Sequence, residues 1–137
     1  MDMEQEIKAA GADKAPRVTQ ADVEANIASE HYFTARQGVM GATPEDHAFY
    51  DPPALGLLTF CVLVLRNGFT VTGESACASP ANFNAEIGRK IARDHAIGKV
   101  WPLMGYALRT DLARPRLTEA DAAADLAGTP RPDHPTA

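Results

Sequence analysis

The sequence predicts an α+β domain in which an antiparallel β-hairpin packs on a long kinked C-terminal helix, with an N-terminal helix alongside. Three observations carry this. An Asn-Gly pair, Asn67-Gly68, separates two strand-like runs, LLTFCVLVLR and FTVTGESAC. The stretch after the hairpin, residues 79–112, reads as helix with one internal proline, Pro102. A chain of 137 residues has the size of one domain and buries roughly two thirds of the surface its unfolded form exposes, enough for one core.

Residues 1–17 are polar, acidic and interrupted by Gly11 and Pro16, and are expected to form a mobile tail. Thr19 with Asp22 three residues on reads as a short capping box ahead of Val23 and Ile27, which predicts a helix over residues 20–31. YFTARQGV follows as an edge strand, and residues 41–56, rich in Pro, Gly, Asp and Thr, as a long loop. Asn-Gly is the preferred pair for a two-residue type I′ turn, because both positions need positive φ. It predicts strands over about residues 57–66 and 69–77, with facing residue numbers adding to 135, so that Leu65 opposes Thr70 and Cys61 opposes Glu74. On that register Leu58, Phe60, Val62, Val64, Phe69, Val71 and Cys77 form the core face, and Cys61, Leu63, Leu65, Thr70, Thr72 and Glu74 the other. The second face is still half apolar, so another element or another subunit is expected to cover it.

Beyond the hairpin, Ser79 or Asn82 can cap the helix, and Pro80 suits a first helical position. Ile87, Ile91, Val100, Met104 and Leu108 give a broken apolar face. Gly88, Ala92 and Ala96, four apart, form a small-residue stripe that lets a helix lie close on a sheet or on a partner helix. Pro102 predicts a break or kink at residues 99–101 and a second helix over residues 102–111. Residues 117–128 read as a short terminal helix, and the Pro-rich residues 129–137 as disordered. The expected division is a disordered tail over residues 1–17, a single α+β domain over 18–112 and a partly disordered extension over 113–137.

The longest apolar run, residues 55–65, is far short of the ~20 residues of a membrane-spanning helix. The acidic start MDMEQEIKAAGADKAP lacks the basic and apolar parts of a secretory signal, so a cytoplasmic protein is expected. A net charge of -5 argues against a general nucleic-acid coat. That total hides an asymmetry: residues 1–56 carry 4 Lys/Arg against 10 Asp/Glu, whereas residues 80–116 carry 7 against 3.

None of His31, His47, His95 and His134 has a second ligand at a metal-binding spacing, and no metal or cofactor is expected. Cys61 and Cys77 fall on opposite faces of the hairpin by the register above and read as packed free thiols. Ser75, in GESAC, lacks the second glycine of a nucleophile elbow, and neither a GK[ST] nor a G-x-G-x-x-G phosphate loop is present. Trp101 reads as core rather than as a stacking platform. What remains is the helix start at residues 79–84, where unpaired N–H groups and the positive end of the helix dipole favour an anion, with Arg89, Lys90 and Arg93 following within three turns. The candidate ligand-binding residues are Phe69, Asn82, Arg89, Arg93 and Arg109. From the residues alone an alternative stays open, in which Asn82 only caps a helix and the basic residues form a solvated face.

The run LTFCVLVLRNGFTVTGESACASPANFNAEIGRKIARDHAIGKVWPLMGYALR, with SEHYFTA upstream, closely resembles the gene-product-49/66 family of small proteins from tailed phages and prophages. The pattern runs in order through Asn67-Gly68-Phe69, Gly73, Ser75, Cys77, Asn82-Phe83, Ile87-Gly88, Ala92, Trp101, Gly105-Tyr106 and Leu108, over residues 19–112. The family is also similar to the Thoeris anti-defence sponges, phage proteins that bind the cyclic ADP-ribose-type signal of bacterial TIR-domain enzymes. The shared features are the order of hairpin, Ser/Cys segment, Asn-aromatic helix start and Trp-x-Leu-x-Gly-aromatic. That similarity implies a homo-oligomer that sequesters a doubly phosphorylated cyclic nucleotide without cleaving it, in the cytoplasm of the host. The reading from the residues keeps a second possibility beside it: an accessory module that grips a host protein through an apolar face. Neither is an enzyme.

Overall fold

LTFCVLVL is the centre of the fold. As β2, Leu58–Leu65, it pairs antiparallel with β3, Thr70–Ala76, on one side and with β1, Ile27–Thr34, on the other, giving a three-stranded sheet in the order β1-β2-β3. The computed structural model describes residues 2–114 and 117–132. The α+β class is as the sequence predicts, and the expected edge strand is present but shifted: β1 takes in residues 27–31, expected as the end of the first helix, with YFT, while ARQGV leaves it for a helix.

The loop between β2 and β3 corrects the register. It has three residues, Arg66, Asn67 and Gly68, rather than two: Leu65 N–H donates to the Phe69 carbonyl at 2.8 Å, and Gly68 takes φ +87°. No non-glycine residue among those described has positive φ. Asn67 therefore stays right-handed, its side-chain oxygen accepting from Phe69 N–H at 3.0 Å, and a single left-handed glycine closes the turn. Facing numbers add to 134, as in Val64 opposite Thr70, so Cys61 opposes Gly73 instead of Glu74. A slip of one residue exchanges the faces of a strand. Cys61, Leu63 and Leu65 of β2 are buried with Val71 of β3, and Leu58, Phe60, Val62 and Val64 lie half-buried on the outer face: the expected assignment is reversed for β2, whereas Val71 is in the core as expected. Both thiols are free, but not because they sit on opposite faces. Cys77 lies four residues beyond Gly73, the partner of Cys61, and roughly 13 Å of strand separates them.

The inner face is covered by α4, Ala85–Ala113. Its small-residue stripe, Gly88, Ala92 and Ala96, is buried with Ile97 and Val100, as expected of a helix lying close on a sheet. The approach is close enough that a Cβ on Gly73 would overlap the Ala92 carbonyl oxygen and the Ala96 amide nitrogen. Ile87 and Ile91, assigned to the buried face from their spacing, are exposed. α4 starts later than expected, with Asn84 as its cap, the Asn84 side-chain oxygen accepting from Ile87 N–H at 3.0 Å. Ser79 instead precedes a 3-10 turn, Pro80–Asn82, which starts on Pro80 and ends on Asn82. The helix runs through Pro102 as a single element, so the expected second helix over residues 102–111 is the second half of α4. The missing proline donor would have bonded the carbonyl of Gly98.

Around this core, α2, Gln20–Ala25, opens with the predicted Thr19–Asp22 capping box but ends six residues early. α3, Ala35–Ala42, is capped by Thr34 and occupies ARQGVMGA, part of which was expected as strand and loop. A second 3-10 turn, Pro53–Leu57, leads into β2. Within the expected tail, α1, Met3–Ala9, is capped by Asp2, and its Glu4 forms an ion pair with Arg17. α5, Glu119–Ala127, is the expected terminal helix; it opens on a Thr118–Asp121 capping box and closes on Gly128 at φ +70°. The disorder expected over residues 129–137 falls outside the described residues from Asp133 onward.

Candidate functional site

At the end of the sheet beneath the first turns of α4, three hydroxyl residues lie in register: Thr34 of β1 opposes Thr59 of β2, and Thr59 opposes Ser75 of β3. The Thr34 hydroxyl accepts from Gln37 N–H at 3.2 Å as the cap of α3. Thr59 is 3% exposed, and its hydroxyl has no hydrogen-bond partner among the described residues. No fully enclosed side-chain polar atom there lacks a partner, so this hydroxyl is reached from outside. Gly88, itself buried, packs against it closely, since a Cβ at that position would stand 3.1 Å from Thr59 Oγ1.

Two adjoining depressions share Thr59 and Phe83 in their walls. One, about 190 Å³, is mostly apolar, lined by Leu57, Cys77, Ile87 and Ile91, with Asn82 at its edge. The exposure of Ile87 and Ile91 thus has a structural counterpart: they form a wall. The other, about 220 Å³, is polar and lined by Tyr32, Gln37, Ala85 and Arg89. Asn84 satisfies Ile87 N–H, leaving the amides of Ala85 and Glu86 as first-turn donors without an intrahelical acceptor. Arg89, one turn beyond Ala85, has no carboxylate partner among the described residues. Gln37 uses its side-chain oxygen on Thr34 N–H at 2.9 Å and keeps its amide hydrogens as donors. Burial pushes the Tyr32 phenol up to about 12, with the Cys61 thiol beside it acting in the same direction, so at neutral pH it is a protonated hydroxyl. The polar depression is a set of donors beside a helix N-terminus, and the apolar one adjoins it.

The sequence pattern of the phage protein (N4 Gp49/phage Sf6 gene 66) family fits residues 18–112. The chain belongs to that family. The matched span encloses the sheet, α4 to Leu112 and both depressions, and leaves α1 and α5 outside. No curated protein and no solved structure matches this phage protein. Among its described residues no helix is long and apolar enough to cross a membrane, and no group of three or more His, Cys, Asp or Glu is placed to hold a metal ion.

The five residues expected to bind ligand are not gathered in one place. Asn82 and Arg89 border the paired depressions, on the apolar and polar sides. Arg93, expected to be an exposed cation, is a clamp: its guanidinium forks onto Glu24 of α2 at 2.7 and 3.2 Å and bonds Glu30 of β1 at 2.8 Å. Phe69 stands exposed at the far end of β3, beside the hairpin loop. Arg109 is twenty residues along α4 from Arg89, about 30 Å of helix. Thr59, Phe83, Gln37 and Tyr32 escaped the sequence reading. The legible signal for Thr59 was a polar residue interrupting LLTFCVLVL, but the expected register turned it away from the core with Cys61 and Leu63, where a threonine calls for no explanation.

The clamp sets a pH dependence. The Arg93 guanidinium holds the Glu24 carboxyl below its ordinary value of 4.5. A carboxyl depressed in the folded state adds stability that is present above the unfolded value and is lost as pH falls through the folded one. The Glu24 side chain is 42% exposed, so screening limits the effect to about 0.5–1 kcal/mol. Melting of the wild type is expected to fall more steeply below pH ~5 than melting of Glu24→Gln, and the two curves are expected to converge once the carboxyl is protonated. Arg93→Glu sets three carboxylates together and is expected to cost about 2 kcal/mol, more than an exposed arginine would.

Proposed function

We propose that this phage protein binds and sequesters a cyclic nucleotide signal of host defence, of the cyclic ADP-ribose type, without cleaving it, as a homo-oligomer in the host cytoplasm. The observation that carries the reading is the junction at Phe83 and Thr59, where an apolar depression fit for part of a nucleoside meets first-turn amides and an arginine that has no carboxylate partner among the described residues, fit for a phosphate. The similarity of the hairpin, Ser/Cys segment and Asn-aromatic helix start to the anti-defence sponges supports the same class of ligand. Arg89 supplies charge to the phosphate, and the amides of Ala85 and Glu86 supply directed donors. A charge-assisted phosphate contact is worth on the order of 1.5–3 kcal/mol, so Arg89→Glu is expected to weaken binding of cyclic ADP-ribose by roughly ten- to a hundredfold. Because Arg89 is exposed and without a carboxylate partner, its melting temperature is expected to stay within a few degrees of wild type. Nucleotide released on heating the purified protein and calorimetric titration of the variant test the reading together. Unchanged affinity in Arg89→Glu removes the phosphate from this site.

A second reading rests on the outer face of the sheet, where Val62 and Val64 are half-buried beside the stacked rings of Phe33 and Phe60, 5.3 Å apart, and α3 reaches only the Phe33 end through Gly38. A central strand apolar on both sides is the pattern of a sheet covered on both sides. On this reading the protein is an accessory module that grips a host protein through that face. A clean supernatant after heating, with a co-purifying host protein lost in Val62→Asp, favours it.

A further inference from the structure

We propose that Thr59 is a specificity-determining contact of the paired depressions, its hydroxyl bonding an oxygen of the sugar part of a phosphorylated ligand that straddles them. The inference rests on the reading of this site as a ligand site and names the part of the ligand that each region takes. Three independent features meet at one atom. Thr59 is 97% buried yet its hydroxyl is unpartnered, in a sheet where its neighbour Thr34 uses the same group as a helix cap. Gly88, itself buried, lies directly against this hydroxyl, and any Cβ there would crowd Thr59 Oγ1 at 3.1 Å, so only a glycine lets α4 run this close to it. The two walls that share Thr59 differ in chemistry, Arg89 and Gln37 on one side, Ile87 and Ile91 on the other.

A ligand filling both walls places its charged group with Arg89 and the α4 amides and its apolar part against Ile87 and Ile91. The link between them passes the Thr59 hydroxyl. In a nucleotide that link is the sugar, whose hydroxyl and ring oxygens match a neutral group that both donates and accepts. A cation at this point would bind a second phosphate; a hydroxyl selects a neutral oxygen.

Thr59→Val keeps the shape and removes the hydroxyl, and since that hydroxyl is unpartnered in the free protein, its loss is expected to leave melting unchanged or to raise it. A residue with only a structural role shows the opposite. Titrations use cyclic ADP-ribose and inorganic pyrophosphate, which has the charge but no sugar. In Thr59→Val, cyclic ADP-ribose is expected to bind about tenfold more weakly while pyrophosphate affinity is unchanged, and Thr59→Ser is expected to stay near wild type. Equal cyclic ADP-ribose affinity in Thr59→Val and wild type, with Arg89→Glu still weak, overturns the Thr59 contact and leaves the site reading in place. Binding of cyclic ADP-ribose insensitive to both substitutions, or absent in the wild type, overturns both.

Discussion

Gly73→Ala is expected to cost more than about 4 kcal/mol, enough to unfold most of the protein at ambient temperature. The single added carbon falls on the Ala92 carbonyl oxygen and the Ala96 amide nitrogen, which are backbone atoms in the middle of a 29-residue helix. No rotamer change relieves that overlap, so either α4 moves off the sheet or β3 bends away from it, and both open the core around Val71, Ala92, Ala96 and Val100. The same substitution at Gly98 is expected to act with opposite sign. A Cβ there meets nothing within 4 Å, and alanine in an exposed helix position is favoured over glycine by about 1 kcal/mol. For a chain of this length that is a rise of about 3–5 °C. Urea titration of both variants checks the pair, and a folded Gly73→Ala with a midpoint near wild type shows that α4 does not lie on β3 as described.

The small-residue stripe of α4 was legible because it depends only on spacing within one helix. Residues four apart share a face wherever the helix lies, and the facing glycine of β3 stands inside a strand pattern where it has no turn to make. The helix cap at Thr19 was legible for the same local reason, and Thr118 with Asp121 and Asp2 with Gln5 are equally readable boxes that went unread, the latter because a polar, acidic segment suggested a tail. The failures share a different cause. Asn-Gly suits both a two-residue loop and a three-residue loop with one left-handed glycine, and the choice between them depends on how β2 and β3 meet, which no local propensity encodes. Once that choice slipped by one residue, every side chain of β2 changed faces while Val71 of β3 kept its own, and the β2 half of the core was misassigned. The α4 start failed similarly: Ser79, Asn82 and Asn84 are all competent caps, and in the fold residues 80–82 form a 3-10 turn so that Asn84 takes the role. Half of the candidate site followed these errors. Asn82 and Arg89 were found through the helix start, whereas Thr59 requires the register. Arg93 was misread because a cation at helical spacing from Arg89 looks free until tertiary structure brings Glu24 and Glu30 to it.

Adjacent positions of β2 give the sharpest test of the corrected register. Leu63 is fully buried between α4 and the sheet, and across the ladder it opposes Glu30. Leu63→Asp loses the packing of a core leucine, about 3–5 kcal/mol, and adds a short carboxylate that cannot reach water and faces a like charge. The sum approaches or exceeds the whole stability of a typical domain, so this variant is expected to be unfolded by circular dichroism. Val62→Asp puts the same side chain one residue earlier, on the outer face, where its ladder partners are His31 and Thr72. There the carboxylate is solvated and lies opposite an imidazole, and the cost is expected to stay near 1 kcal/mol. The two-residue turn reverses this order, so a folded Leu63→Asp beside an unfolded Val62→Asp restores the register that adds to 135. Val62→Asp also reports on assembly. If copies of the chain associate through Phe60, Val62 and Val64, a charge at the middle of that uncharged strip meets its own copy across a two-fold axis, and light scattering is expected to find a folded species of smaller mass than the wild type.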